Sequence, residues 1–144
     1  MTNIEKYKYW EILADYDMET AQIMLEASRW MYVATICHSS VERLIKGMIV
    51  YHTKREAPKS NNLTFLINKL SENEVFSQSS EGERFNKEKY PFIDIIIDIM
   101  YFHINDYPFS YQKIMERFIE EPIAKDIYVK TKTLVRWLKS FQPE

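Results

Sequence analysis

Apolar side chains return at steps of three and four along most of the chain, the spacing that lines one face of an α-helix. From Ile4 to Ala27 the recurring positions are Tyr7, Trp10, Ala14, Asp17, Ala21 and Met24, so one acid sits in an otherwise apolar stripe. From Met31 to Tyr51 the stripe is Met31, Ala34, His38, Val41, Ile45 and Met48, and Glu42 and Lys46 form a favourably oriented i,i+4 pair. Thr53 to Asn62 reads as a loop built on Pro58 and a polar cluster. Leu63, Leu66, Ile67 and Leu70 predict a short amphipathic helix. Ser71 to Lys89 is polar, carries Ser77, Ser79, Ser80 and Gly82, and reads as a long mobile connection.

A fourth element opens at Pro91, a residue suited to the first turn of a helix. Its isoleucines, Ile93, Ile95, Ile96, Ile97 and Ile99, are β-branched and would suit a strand, but the length and the four-residue spacing of Asp94 and Asp98 favour a helix. Such a helix has only a narrow polar stripe and must be covered on nearly every side, until Pro108 ends it. Ile114 and Phe118 suggest a short helix over Tyr111 to Glu121. Pro122 then opens the last helix, where Ile127, Thr131, Leu134, Leu138 and Phe141 repeat at four, three, four and three. The pattern predicts an all-α fold, an antiparallel up-and-down bundle of four or five helices, in a single domain spanning residues 1–144.

Composition narrows the function classes. A chain of 144 residues with 46% hydrophobic and 15% aromatic residues can bury a core without a disulfide or a metal. Two glycines, Gly47 and Gly82, leave no material for a phosphate-cradling glycine loop. A net charge of −2 gives no global attraction to nucleic acid or to an anionic membrane surface. The single cysteine, Cys37, excludes an internal disulfide and a cysteine-clustered zinc site. The longest apolar stretch, Pro91 to Ile104, contains Asp94, Asp98 and His103 and is too short for a membrane span. No basic segment followed by an apolar run opens the chain, so a cytoplasmic location is expected.

The candidate chemistry is sparse. A di-metal carboxylate bundle needs paired Glu-x-x-His motifs, and the sequence has none. Asp94, Asp98 and His103 fail as ligands on one line, because five residues separate Asp98 from His103, so no metal and no cofactor is expected. Ser39 and Ser40 adjoin His38, but neighbours on a helix point apart and make no triad. Cys37 reads as an inert small hydrophobe and His38 as a hydrogen-bonded core or interface residue. Asp17 needs a cation from the next helix, Arg43 or Lys46, either as structural glue or as one wall of a polar cleft. Removing it by Asp17→Ala should then cost about 3 kcal/mol through the stranded cation.

The order of these residues resembles the HEPN family of helical-bundle proteins. Trp10, Ala14, Asp17, Ala21 and Leu25 follow that family's first-helix pattern W-x3-A-x2-D-x3-A-x3-L, and the run from Cys37 to Lys46 is similar to its C-H-Q-A-x-E-K-x-x-K. Asn61, Asn62 and Leu63 stand where members often have T-H-x-L. Asn105, Asp106, Tyr107 and Pro108 stand where many have R-Y-P, and Ala124 through Trp137 resemble the closing helix.

The resemblance implies a bundle that forms a homodimer, and a choice of roles: an RNA-cleaving toxin, a partner of a minimal nucleotidyltransferase, or a module that binds a nucleotide or other anionic ligand. The ribonuclease branch carries an arginine, four to six residues, then a histidine. No arginine stands at that spacing before His38, His52 or His103, and Lys46 before His52 lacks the guanidinium fork. Asp106 replaces the signature cation and would repel a phosphate. The expected reading is a non-catalytic binding module, with no catalytic residue. It has a polar cleft or rim formed by Asp17, Glu42, Arg43, Lys46, His103, Asp106 and Tyr107. Its rivals are a metal-independent ribonuclease toxin of a toxin–antitoxin pair, and a structural subunit whose companion supplies the chemistry. The expected dimer contact is the apolar face of the Pro91–Ile104 helix.

Overall fold

The computed structural model describes residues 1–103 and 120–144. Those residues form seven helices: α1 (Asn3–Glu26), α2 (Trp30–Thr53), α3 (Leu63–Ser71), α4 (Glu74–Gln78), α5 (Ser80–Glu88), α6 (Tyr90–Phe102) and α7 (Glu121–Lys139). The expected stop at Pro108 and the expected helix over Tyr111 to Glu121 fall on residues 104–119, outside the described residues. At the far end of that span, Glu121 opens α7.

Four helices, α1, α3, α4 and α5, start where the sequence supplies a side-chain cap, whereas α2, α6 and α7 have none. Thr2 and Glu5 form a reciprocal capping box on α1, with bonds of 3.1 and 3.0 Å. Asn62, Asn73 and Ser79 accept the N–H three residues on and open α3, α4 and α5. Pro122 lies in the first turn of α7. Ser28, at φ 61°, turns the chain between α1 and α2.

The four long helices run up, down, up, down. Asp15 on α1 meets Lys139 on α7, and Asp98 on α6 meets Lys130. His38 near the start of α2 meets His103 at the end of α6, and His52 at the other end of α2 meets Phe141 just past α7. These contacts make α1 antiparallel to α2 and α7, and α6 antiparallel to α2 and α7. The seam of α7 is buried as its spacing requires, at Ala124, Ile127, Thr131, Leu134, Leu138 and Phe141.

Helix α2, not α6, is the element enclosed on most sides, with buried residues from Val33 through Val50. Helix α6 buries only Ile96 and Ile99 fully and leaves Tyr90, Ile97 and Tyr101 at least half exposed. Its isoleucine run therefore spreads around the helix and does not mark the central one. Ala14 and Ala21 let α1 lie close to α2, where a Cβ on Gly47 would come within 2.9 Å of the Trp10 Cβ.

The Ser71–Lys89 stretch departs most from expectation. It holds α4 and α5, whose polar surfaces conceal two anchors, Phe76 and Phe85. Those rings join His52, Phe92, Trp137 and Phe141 in one aromatic cluster, with Phe85 stacked on Trp137 at 4.8 Å and Phe92 at 4.3 Å. Two large buried rings repay the ordering of a polar segment that propensity alone would leave open.

Candidate functional site

Asp17 sits halfway along α1 on the side that faces α2, with its side chain 13% exposed. Ser39 Oγ donates to one carboxylate oxygen at 2.9 Å and Arg43 Nη1 to the other at 3.2 Å. Burial pushes the Asp17 carboxyl above the usual carboxylate range, against the pull of Ser39 and Arg43, and the nearby Glu42 adds to the rise. One turn away Ser40 Oγ donates to the Ala14 carbonyl at 2.8 Å, so two hydroxyls in succession tie α2 to α1.

Of the two cations expected for Asp17, only Arg43 serves it. Lys46 turns along its own helix to Glu42, at 2.8 Å, and lies 6.0 Å from the Trp10 ring centroid. Glu42 also stands 3.9 Å from the Nδ1 of His38. His38, Glu42 and Lys46, each four residues apart, thus form one line along α2, while Ser39 and Arg43 form the next line, toward α1.

His103 closes this line from α6. Its backbone leaves the helix in an extended conformation, and its ring stacks on His38 with centroids 3.9 Å apart and planes 12° from parallel. Burial, with the neighbouring His103, pushes His38 down to about 4, so it is neutral at physiological pH. Burial pushes the Cys37 thiol up to about 12, which leaves it without nucleophilic character.

The structure therefore brings Asp17 to Arg43, Glu42 to Lys46, and His103 to His38 in one polar seam along α2, which meets α1 on one side and α6 on the other. Asp106 and Tyr107 lie outside the described residues. Reading the sequence missed Ser39 and the histidine stack. Ser39 was accessible, being four residues before Arg43 and so on its face. The meeting of His38 with His103 depends on how α6 crosses α2, which no local spacing encodes. Asp98 is taken up by Lys130 at 3.2 Å, and among the described residues no group of three or more His, Cys, Asp and Glu side chains could hold a metal ion. Two grooves of about 380 Å³ lie elsewhere, one beside Arg55, Pro58 and Lys69, the other between α1 and α7 beside Met18, Tyr128 and Arg136.

The half-open position of Arg43, 34% exposed, changes the expected cost of removing its partner. A freed guanidinium there can turn to water, so Asp17→Ala should cost about 1–2 kcal/mol, below the penalty of a fully buried stranded charge. Asp17→Asn keeps an acceptor for Ser39 and sheds the ionisation that burial opposes, so it should cost less than Asp17→Ala. Urea unfolding midpoints at neutral pH check the order. A double-mutant cycle with Arg43→Ala that returns no coupling would show the pair contributes nothing.

The bundle and its seam define a small helical-bundle protein whose polar residues lie between helices, not in a deep pocket. It belongs to the HEPN domain family, whose model matches residues 7–141. That match spans the Ser71–Lys89 stretch as well as the four long helices. No curated protein and no solved structure gives a significant match. Among the described residues no helix is long and apolar enough to cross a membrane.

Proposed function

We propose that residues 1–144 act as one HEPN domain, a homodimeric cytoplasmic module that engages a partner protein such as a minimal nucleotidyltransferase and does not cut RNA. The observation that carries this reading is the state of the cations in the seam. Arg43 is committed to Asp17 and Lys46 to Glu42, while His38 is neutral. A phosphate entering the seam would have to displace a carboxylate from a cation it already neutralises. Asp17, Glu42, Arg43, Lys46 and His103 thus serve to lock three helices together beneath an interaction surface. A nucleotide or other small anion is disfavoured as ligand for the same reason.

One observation favours the ribonuclease reading: two imidazoles stacked at 3.9 Å beside Glu42 are the kind of groups that move protons in metal-independent RNA cleavage. Incubation of the purified protein with single-stranded RNA distinguishes the two. The expected result is no cleavage above the buffer blank. Cleavage that survives further purification and disappears in His103→Ala would replace the binding reading with the nuclease. Native mass spectrometry of the same preparation reports a retained nucleotide directly.

A further inference from the structure

Helices α1 and α7 lie side by side with a groove of about 380 Å³ between them. Its floor is apolar: Met18 and Tyr128 are half-buried against the core, and Val135 is buried. Its two banks carry opposite charge. Lys132 and Arg136, one turn apart, stand on the α7 bank and Glu19 on the α1 bank, all three exposed. At one end Lys139 reaches across to Asp15 at 2.6 Å and joins the banks. Beyond that bridge, Lys132, Arg136 and Glu19 form no ion pair among the described residues. The Lys132 ammonium lies 5.3 Å from the centre of the Tyr128 ring, which holds it over the floor and leaves it open to a carboxylate.

The surroundings restrict what can fill such a groove. Among the described residues there is no strand edge to pair with an extended chain, so an occupant's backbone must satisfy its own hydrogen bonds. A helix does so, and laid between α1 and α7 it packs one ridge of side chains against both at once. Charge then fixes its flanks. An occupant that covered Lys132 and Arg136 without a carboxylate would strip water from two unpaired cations, which is costly. A small anion would answer the cations and leave the apolar floor uncovered.

We propose that this groove receives an amphipathic helix of a partner protein, its apolar ridge on Met18, Tyr128 and Val135 and its acidic flank facing Lys132 and Arg136. This rests on the binding role proposed above and gives that role a surface and a partner chemistry.

The probe is a fluorescein-labelled synthetic helix of about 18 residues, with leucines at three- and four-residue spacing, glutamates along one flank and lysines along the other. Fluorescence anisotropy with the full chain at low salt should give a Kd of about 10–100 µM. A companion peptide with lysines on both flanks should bind about tenfold more weakly. Lys132→Glu with Arg136→Glu should invert that order, with helicity unchanged by circular dichroism because both side chains face water. Lys59→Glu with Lys87→Glu changes the net charge equally, away from the groove, and should keep the wild-type order. The same inversion in both variants would show an effect of net charge alone and overturn the groove. So would a peptide with serines for leucines that binds as well as the first. Light scattering in which the wild type self-associates and only the Lys132→Glu, Arg136→Glu variant does not would assign the groove to a second copy of this chain instead. Failure of the wild type to bind the first peptide overturns the groove and leaves the binding role standing, because that role falls only if the same preparation cleaves RNA.

Discussion

Gly82→Ala is expected to destabilise the protein more than any other single methyl addition outside the core, by about 3 kcal/mol or more. The reason is backbone against backbone. A Cβ at Gly82 would lie 1.7 Å from the Phe76 carbonyl oxygen and 2.5 Å from its carbon, and no rotamer change relieves that. Ser79 fastens the same corner: its hydroxyl donates to the Phe76 carbonyl at 2.6 Å and accepts from the Gly82 N–H at 3.0 Å. To make room, α4 must lift away from α5, and Phe76 must leave its edge contact with Phe85 at 5.5 Å. The loss therefore spreads into the aromatic cluster that holds α5, α6 and α7 together. Ser80→Ala, two residues away and exposed, should change stability by no more than about 0.5 kcal/mol. Urea unfolding of both variants beside wild type is the measurement, and equal midpoints for Gly82→Ala and wild type would refute the corner.

Acid should weaken the fold through His38. Its ordinary value of 6.5 is pushed down to about 4 by burial and by His103, so the folded state takes up a proton less readily than the unfolded chain. Stability is then full above pH 6.5 and falls as pH drops through the window down to about 4, by about 3 kcal/mol at ~1.4 kcal/mol per unit. His52 is displaced in the same direction by its own burial and adds to the loss. Asp17 acts oppositely, since its raised carboxyl is relieved as it protonates in the acidic range. His38→Gln should flatten the wild-type decline across this window by about the same 3 kcal/mol, whatever its effect at neutral pH. Urea denaturation at neutral pH and near pH 4 reads the difference. Parallel pH profiles for the variant and wild type would mean that His38 is not held neutral by its surroundings.

The parts legible in advance were those with a periodic signal. Tyr7, Ala14 and Ala21 on α1, and Thr131, Leu134 and Leu138 on α7, are buried as their spacing demands, because a helix turns about 100° per residue wherever it packs. Asp17 was legible for the same reason: an acid on a buried stripe must be answered from the next helix. Which cation answers it was not legible. Arg43 and Lys46 lie three apart on one helix, and the choice fell to Arg43 because Glu42 holds Lys46 along the helix axis.

Short polar segments gave no such signal. In Ser71–Lys89 the caps Asn73 and Ser79 were present, but two phenylalanines nine residues apart make no stripe, and their burial depends on partners as distant as Trp137 and Phe141.

By itself, then, the sequence determined the helical class, the inner faces of the long helices and the demand for a partner at Asp17. These depend on local geometry and on the cost of burying a charge. Tertiary structure alone decided that α2 is the enclosed helix, that α6 delivers His103 onto His38, and that Tyr9, Ile12, Tyr16 and Ile23 on α1 stay exposed. Hydrophobicity tells a helix that it must be covered, but only the order and crossing of the other helices decides which of its faces they reach.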